Sequence, residues 1–197
     1  METPSQLLEN SSAMKILASE ITREVESRGG KLIITDELKT NLSKTAQWLT
    51  SSSKRGLLLL GSVGNGKTTL ARAVVRLLNA YYKTQNTGVF AEPFKEVSAY
   101  DLSAYARDDK EKYTLYKNTL RLYIDDVGVE ESGVKNYGNI ICPFAEVLFE
   151  RYAKNRVTII TTNLTLEQIE NKYDVRIADR ICDMFERINF TEKSFRR

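Results

Sequence analysis

The stretch Leu57-Leu58-Leu59-Leu60-Gly61-Ser62-Val63-Gly64-Asn65-Gly66-Lys67-Thr68-Thr69-Leu70 carries most of the information about the fold. Four consecutive leucines make an apolar run with the length of a short buried strand. Gly61 to Thr68 then matches the phosphate-loop pattern G-x-x-x-x-G-K-[ST]. Beyond it, Leu70, Val74, Leu77, Leu78 and Tyr81 recur on one face of a helix. Strand, glycine-rich loop and helix is the order that phosphate binding needs. The glycines let successive backbone N–H groups turn toward phosphate oxygens, and the positive end of the helix adds to their field. Gly61, Ser62, Val63, Gly64, Asn65, Gly66, Lys67, Thr68 and Thr69 are therefore the expected nucleotide contacts. Lys67 would reach the β- and γ-phosphates, and the Thr68 hydroxyl would ligate magnesium. The bland alternative is a glycine-rich turn with a solvated lysine.

Further along, Leu120-Arg121-Leu122-Tyr123-Ile124-Asp125-Asp126-Val127-Gly128 reads as an apolar strand ending in two carboxylates. A carboxylate at the mouth of a buried strand is costly unless paired or metal-bound. Beside a phosphate loop, Asp125 reads as the magnesium-holding residue and Asp126 as the one that orients the attacking water. An acidic turn leaving the core is the other reading. Val157-Thr158-Ile159-Ile160-Thr161-Thr162-Asn163 is a second apolar strand, ending in an amide. Asn163 either holds water near a γ-phosphate or caps the following helix. In Arg176-Ile177-Ala178-Asp179-Arg180-Ile181 two arginines lie four apart on one helix face, opposite Ile177, Ile181, Met184 and Phe185. By spacing alone this is a solvated face laced by Asp179 and Asp183.

Composition narrows the chemistry. The 197 residues contain no histidine, which removes Ser-His-Asp and Cys-His hydrolases and His-ligated zinc. Cys142 and Cys182 are too few for a thiolate cluster and fit two separate thiols in a reducing compartment. The net charge of +3 is modest, short of the footprint of a dedicated duplex-DNA reader. No apolar stretch approaches the ~20 residues of a membrane span, and Met1-Glu2-Thr3-Pro4 lacks the basic start of a signal peptide. A cytoplasmic protein without membrane partners is expected.

Helices are expected near 12–28, 36–50, 68–82, 143–154, 166–172 and 176–185, with strands at Leu57–Leu60, Leu122–Ile124, Val157–Ile160 and Ile188–Phe190. Alternating short strands and helices indicate an α/β fold with a mainly parallel sheet covered on both faces. Residues 1–35 read as a short helical extension and 36–197 as the core.

Taken together, GSVGNGKTT, LYIDDVG, TIITTNL, VRIADRI and the closing Lys193-Ser194-Phe195-Arg196 resemble, in that order and spacing, AAA+ ATPases of the DnaC type. Those are the replicative-helicase loaders, with IstB-type transposition helpers as relatives. The resemblance spans about residues 40–197. It implies a P-loop NTPase of AAA+ type with a five-stranded parallel sheet flanked by helices and no C-terminal lid domain. It also implies ATP and Mg2+ as cofactors, hydrolysis of ATP, and a homo-oligomer in the ATP state. Asn163 would be the sensor-1 amide, Arg180 an arginine finger entering a neighbour's site, and Arg196 the sensor-2 arginine. Single-stranded DNA is an expected partner through the Tyr105–Arg121 segment, whose rings and cations interleave, although Asp108, Asp109 and Glu111 offset much of the charge and the other reading is a solvated helix with its tyrosines packed inward. The loaders carry a separate amino-terminal helicase-gripping domain, whereas only a short segment precedes the resembling part here. A replicative helicase or a transposase-like protein is the expected protein partner. Two rival functions are a small-metabolite P-loop kinase, which would need an arginine-rich lid, and an adaptor that binds ATP without hydrolysing it.

Overall fold

The computed structural model describes residues 10–85, 91–136 and 139–192. Its central sheet has five parallel strands in the order β2-β3-β6-β1-β7, where β1 is Gly56–Gly61, β2 Lys95–Ser98, β3 Arg121–Val127, β6 Val157–Thr162 and β7 Phe185–Phe190. A separate antiparallel pair joins β4 (Val134–Asn136) to β5 (Asn139–Ile141). The helices are α1 (Asn10–Glu26), α2 (Asp36–Ser51), α3 (Lys67–Gln85), α4 (Ala99–Asp108), α5 (Lys110–Asn118), α6 (Pro143–Ala153), α7 (Leu166–Lys172) and α8 (Val175–Met184).

The leucine run shows why the sheet is covered twice. Side chains alternate across a strand, so Leu57 and Leu59 enter one core with Trp48, Leu78 and Ile159. Leu58 and Leu60 enter the other, with Leu122, Phe144 and Ile181. All four are buried, and each such side chain contributes about 1.5–3 kcal/mol. The α1, α2 and α3 helices line the first core, and α1 belongs to it through Ala13, Leu17 and Ile21.

An ionic staple holds α1 on α3. The Glu24 carboxylate is only 4% exposed and is paired with Arg76 and Arg28, with Arg72 at 3.7 Å. The arginines are each roughly two-fifths exposed, so water screens part of the interaction. Glu24→Ala should therefore cost about 1–3 kcal/mol, or roughly 3–10 °C in Tm. A thermal melt unchanged within 1 °C would show that the staple adds nothing.

The edge opposite the strand mouths is closed by Arg151, which is fully buried. It donates to Thr158 Oγ1 (2.7 Å) and to the carbonyls of Thr119 (2.9 Å), Leu120 (3.3 Å) and Val157 (2.5 Å). It ties the entry ends of β3 and β6 together and leaves their exit ends to the site.

Three elements differ from the expected set or were not in it. The Lys95–Ser98 strand was not among the apolar runs because it lies at the sheet edge, where only Val97 is buried. The segment 99–118 forms two helices, because Asp109 closes α4 with its backbone N–H and opens α5 with its side chain. Phe185 is the first residue of β7 and not the last of a helix.

Candidate nucleotide site

The exit ends of β1, β3 and β6 are neighbours in the sheet, and their loops form one wall of a cleft of about 650 Å³. The opposite wall comes from α1, the following loop and α2, through Ile21, Val25, Leu32 and Leu38. A cleft of this size with an apolar side and a polar end suits a nucleotide-sized ligand.

Local geometry fixes the loop. Gly61 has φ 148°, and a Cβ there would lie 2.3 Å from the Phe190 carbonyl oxygen. Only glycine lets β1 pass that close to the end of β7. Gly66 has φ 98°, the left-handed region that glycine enters without strain. Asn65 is buried and donates to the Phe190 carbonyl at 3.1 Å, anchoring the loop to β7. Ser62 and Val63 are exposed at the loop tip, and Thr69 lies on the cleft wall.

Lys67 is 6% exposed. Its Nζ donates to the carbonyls of Gly61 and Ser62, both at 2.6 Å, to Asn163 Oδ1 at 2.9 Å and to Asn65 Oδ1 at 3.2 Å. The lysine thus holds its own loop together, which the expectation of a purely phosphate-facing side chain did not include.

Asp125 and Asp126 diverge at the end of β3. Asp125 Oδ1 accepts from Thr68 (3.1 Å), Tyr123 (2.6 Å) and Thr161 (2.5 Å). Burial, followed by the Asp125 charge, pushes the Tyr123 phenol far above its usual pKa, so it remains a donor. Asp126 has φ 58°, and its backbone N–H donates to Thr161 Oγ1 at 2.8 Å. Burial, then the neighbouring Asp125 charge, raises the pKa of the Asp126 carboxyl, while Lys67 opposes the shift. Asn163 donates to Asp126 Oδ1 at 2.6 Å while accepting from Lys67. The capping reading of Asn163 is corrected, because Thr165 caps α7 in a capping box with Gln168.

Lys67, Thr68, Asp125, Asp126 and Asn163, scattered over 97 positions, therefore form one hydrogen-bonded cluster. Among the described residues no group of three or more His, Cys, Asp and Glu could hold a metal. The Thr68 hydroxyl beside the Asp125 carboxylate offers the hard oxygen donors that suit magnesium arriving with phosphates. Sequence reading missed Tyr123 and Thr161. Tyr123 was legible, since it stands two residues before Asp125 on the same strand face. Thr161 needed the β3–β6 register.

Arg180 is placed elsewhere, on α8 against α6, with its guanidinium 4.4 Å from the Tyr152 ring centroid. The expected lacing by Asp183 is corrected: Asp183 accepts the Tyr152 hydroxyl at 2.5 Å, and among the described residues Arg180 makes no ion pair. Arg176 is exposed. Arg196 lies outside the described residues. In the Tyr105–Arg121 segment the rings are engaged. Tyr113 is buried and donates to the Pro143 carbonyl, and Tyr105 stacks on Tyr116 at 5.7 Å. Arg107 is paired with Asp108, and Lys117 with Glu146. The ring faces expected to receive bases are thus turned largely to the protein, while Tyr100 stays exposed.

No helix among the described residues is long and apolar enough to cross a membrane. No protein-family model matches the chain, and no curated protein matches its sequence. Solved structures do match in three dimensions. A crystal structure of DnaI superposes with a TM-score of 0.62 at 22% identity, covering 88% of this chain and 94% of that one. A putative primosome component from Streptococcus pyogenes serotype M3 gives 0.59 at 19%, covering 83% and 84%. The replication initiator DnaA bound to AMPPCP and single-stranded DNA gives 0.58 at 18%, covering 82% of this chain and 49% of DnaA. The likeness bears out the expected fold: the chain has an α/β fold, a parallel five-stranded sheet flanked by helices, in common with DnaI and DnaA.

Proposed function

We propose that this chain binds and hydrolyses ATP with magnesium and uses the cycle to assemble or release a protein machine on DNA. The machine is a replicative helicase or a transposase-like complex. The single observation that carries the reading is the Lys67–Asn163–Asp126 chain of hydrogen bonds lying in the cleft beside the Thr68–Asp125 pair. Backbone N–H groups of the loop hold the phosphates, and Lys67 exchanges its loop carbonyls for phosphate oxygens. Asp125 and Thr68 would hold a magnesium ion, which would supply positive charge beside the phosphoryl oxygens. Asp126, steadied by Asn163, accepts the proton of the attacking water. Arg180 of an adjacent copy meets the γ-phosphate, and Arg196 touches the nucleotide from its own chain. The AMPPCP and single-stranded DNA held by DnaA support nucleotide and single-stranded DNA as ligands for the same fold here.

Replacing Asp126 by Asn tests the reading. The amide keeps the size and a hydrogen bond to Asn163 but cannot take a proton. Turnover should fall about 10²–10⁴-fold with ATP affinity within a few-fold of wild type. The ATP-locked variant should also hold a fluorescent single-stranded oligonucleotide more tightly with ATP than with ADP. Undiminished hydrolysis would remove Asp126 from the reaction; equal DNA retention with both nucleotides would remove the coupling to DNA.

A further inference from the structure

Arg180 has a carboxylate three residues further along its own helix, Asp183, yet does not pair with it. Tyr152, on α6, accounts for this. Its hydroxyl donates to Asp183 Oδ2 at 2.5 Å, and its ring lies under the guanidinium with a centroid distance of 4.4 Å. The Arg180 Nε is buried and has no hydrogen-bond partner among the described residues. A buried donor left without an acceptor costs stability, so its retention calls for a physical reason. Here the ring offers the guanidinium a cation–π seat and removes rotamer freedom from a long side chain. The Tyr152 hydroxyl holds Asp183 away from a direct ion pair with Arg180.

We infer that Tyr152 and Asp183 are positioning residues that hold the Arg180 guanidinium over a ring and keep Asp183 from pairing with it, ready for an anionic phosphoryl group brought by a second copy of the chain. The inference rests on the proposed role of Arg180 at a neighbour's nucleotide. It adds a specific consequence: releasing Asp183 should be worse than deleting it. In Tyr152→Phe the ring remains but the freed carboxylate can capture Arg180. In Tyr152→Phe/Asp183→Ala the ring remains and the competitor is gone.

The test measures kcat and KM for ATP of the full chain for Tyr152→Leu, Tyr152→Phe, Tyr152→Phe/Asp183→Ala and Arg180→Ala. Tyr152→Leu should lower kcat by up to roughly 10²-fold, the cost of a slightly misplaced group, with KM unchanged. Tyr152→Phe should also lose kcat, and the added Asp183→Ala should restore most of it. A purely structural contact would not reverse on losing a second side chain. If Arg180→Ala collapses turnover while Tyr152→Leu stays within twofold of wild type, the positioning role is overturned and the role of Arg180 stands. If Arg180→Ala itself turns over normally, both are overturned. Should Tyr152→Leu fail to fold, the Phe and Phe/Ala pair decides alone: equal kcat in the two overturns the inference, recovery supports it.

Discussion

Lys67→Ala is expected to bind ATP at least about 10²-fold more weakly than wild type, because one or two charge-assisted hydrogen bonds to phosphate are worth about 1.5–3 kcal/mol each. Calorimetric titration with ATP and magnesium reads the effect. The substitution does more than remove a ligand charge. Lys67 Nζ also bridges the Gly61 and Ser62 carbonyls and Asn163 Oδ1, so the loop loses its internal tie. Gly61→Ala separates the two contributions. Its Cβ would strike the Phe190 carbonyl oxygen at 2.3 Å, distorting the loop while leaving the lysine in place. The sheet should survive Lys67→Ala, since Leu57 to Leu60 keep both cores, and far-UV circular dichroism should be unchanged. A folded Lys67→Ala protein with ATP affinity within threefold of wild type would remove the phosphate-loop assignment.

The parts of this architecture legible in the sequence are those in which one short stretch carries the whole constraint. The leucine run is apolar at every position because both faces of β1 are covered. The glycines of residues 61–66 are demanded by backbone geometry within six residues. Features that depend on distant partners were less visible. The edge strand Lys95–Ser98 has one neighbour, β3, and little need of apolar side chains. Thr161 meets Asp125 only because β3 and β6 are in register and shift at a bulge after Ile124. The tyrosines of 105–116 left two readings open for the same reason. Alternating rings and cations look alike whether the rings face solvent or, as with Tyr113, the Pro143 carbonyl of another helix. At Asn163 the sequence allowed a cap or a catalytic amide. Thr165 takes the cap with Gln168, which leaves Asn163 to bridge Lys67 and Asp126.

Arg180→Ala is expected to leave ATP affinity nearly intact and to collapse turnover. The residue stands on α8, outside the cluster formed by Lys67, Thr68, Asp125, Asp126 and Asn163, and does not line the cleft that holds them. A direct contact with the reacting phosphate would then come from another copy. A guanidinium delivered to a transferring phosphoryl group is worth on the order of 10³–10⁵ in rate, and this one carries no ion pair among the described residues that would have to break first. Subunit mixing supplies the decisive control. Arg180→Ala keeps an intact phosphate loop, and Lys67→Ala keeps an intact arginine. Each is inactive alone, but a junction joining the loop of the first to the arginine of the second contains a complete site. Mixed one to one at concentrations where wild type assembles, the two should recover a measurable share of activity, with a second-order dependence on protein concentration. An arginine acting within its own chain would give no recovery, because neither variant would then hold a whole site. Turnover of Arg180→Ala within threefold of wild type would return the residue to a surface cation stacked on Tyr152.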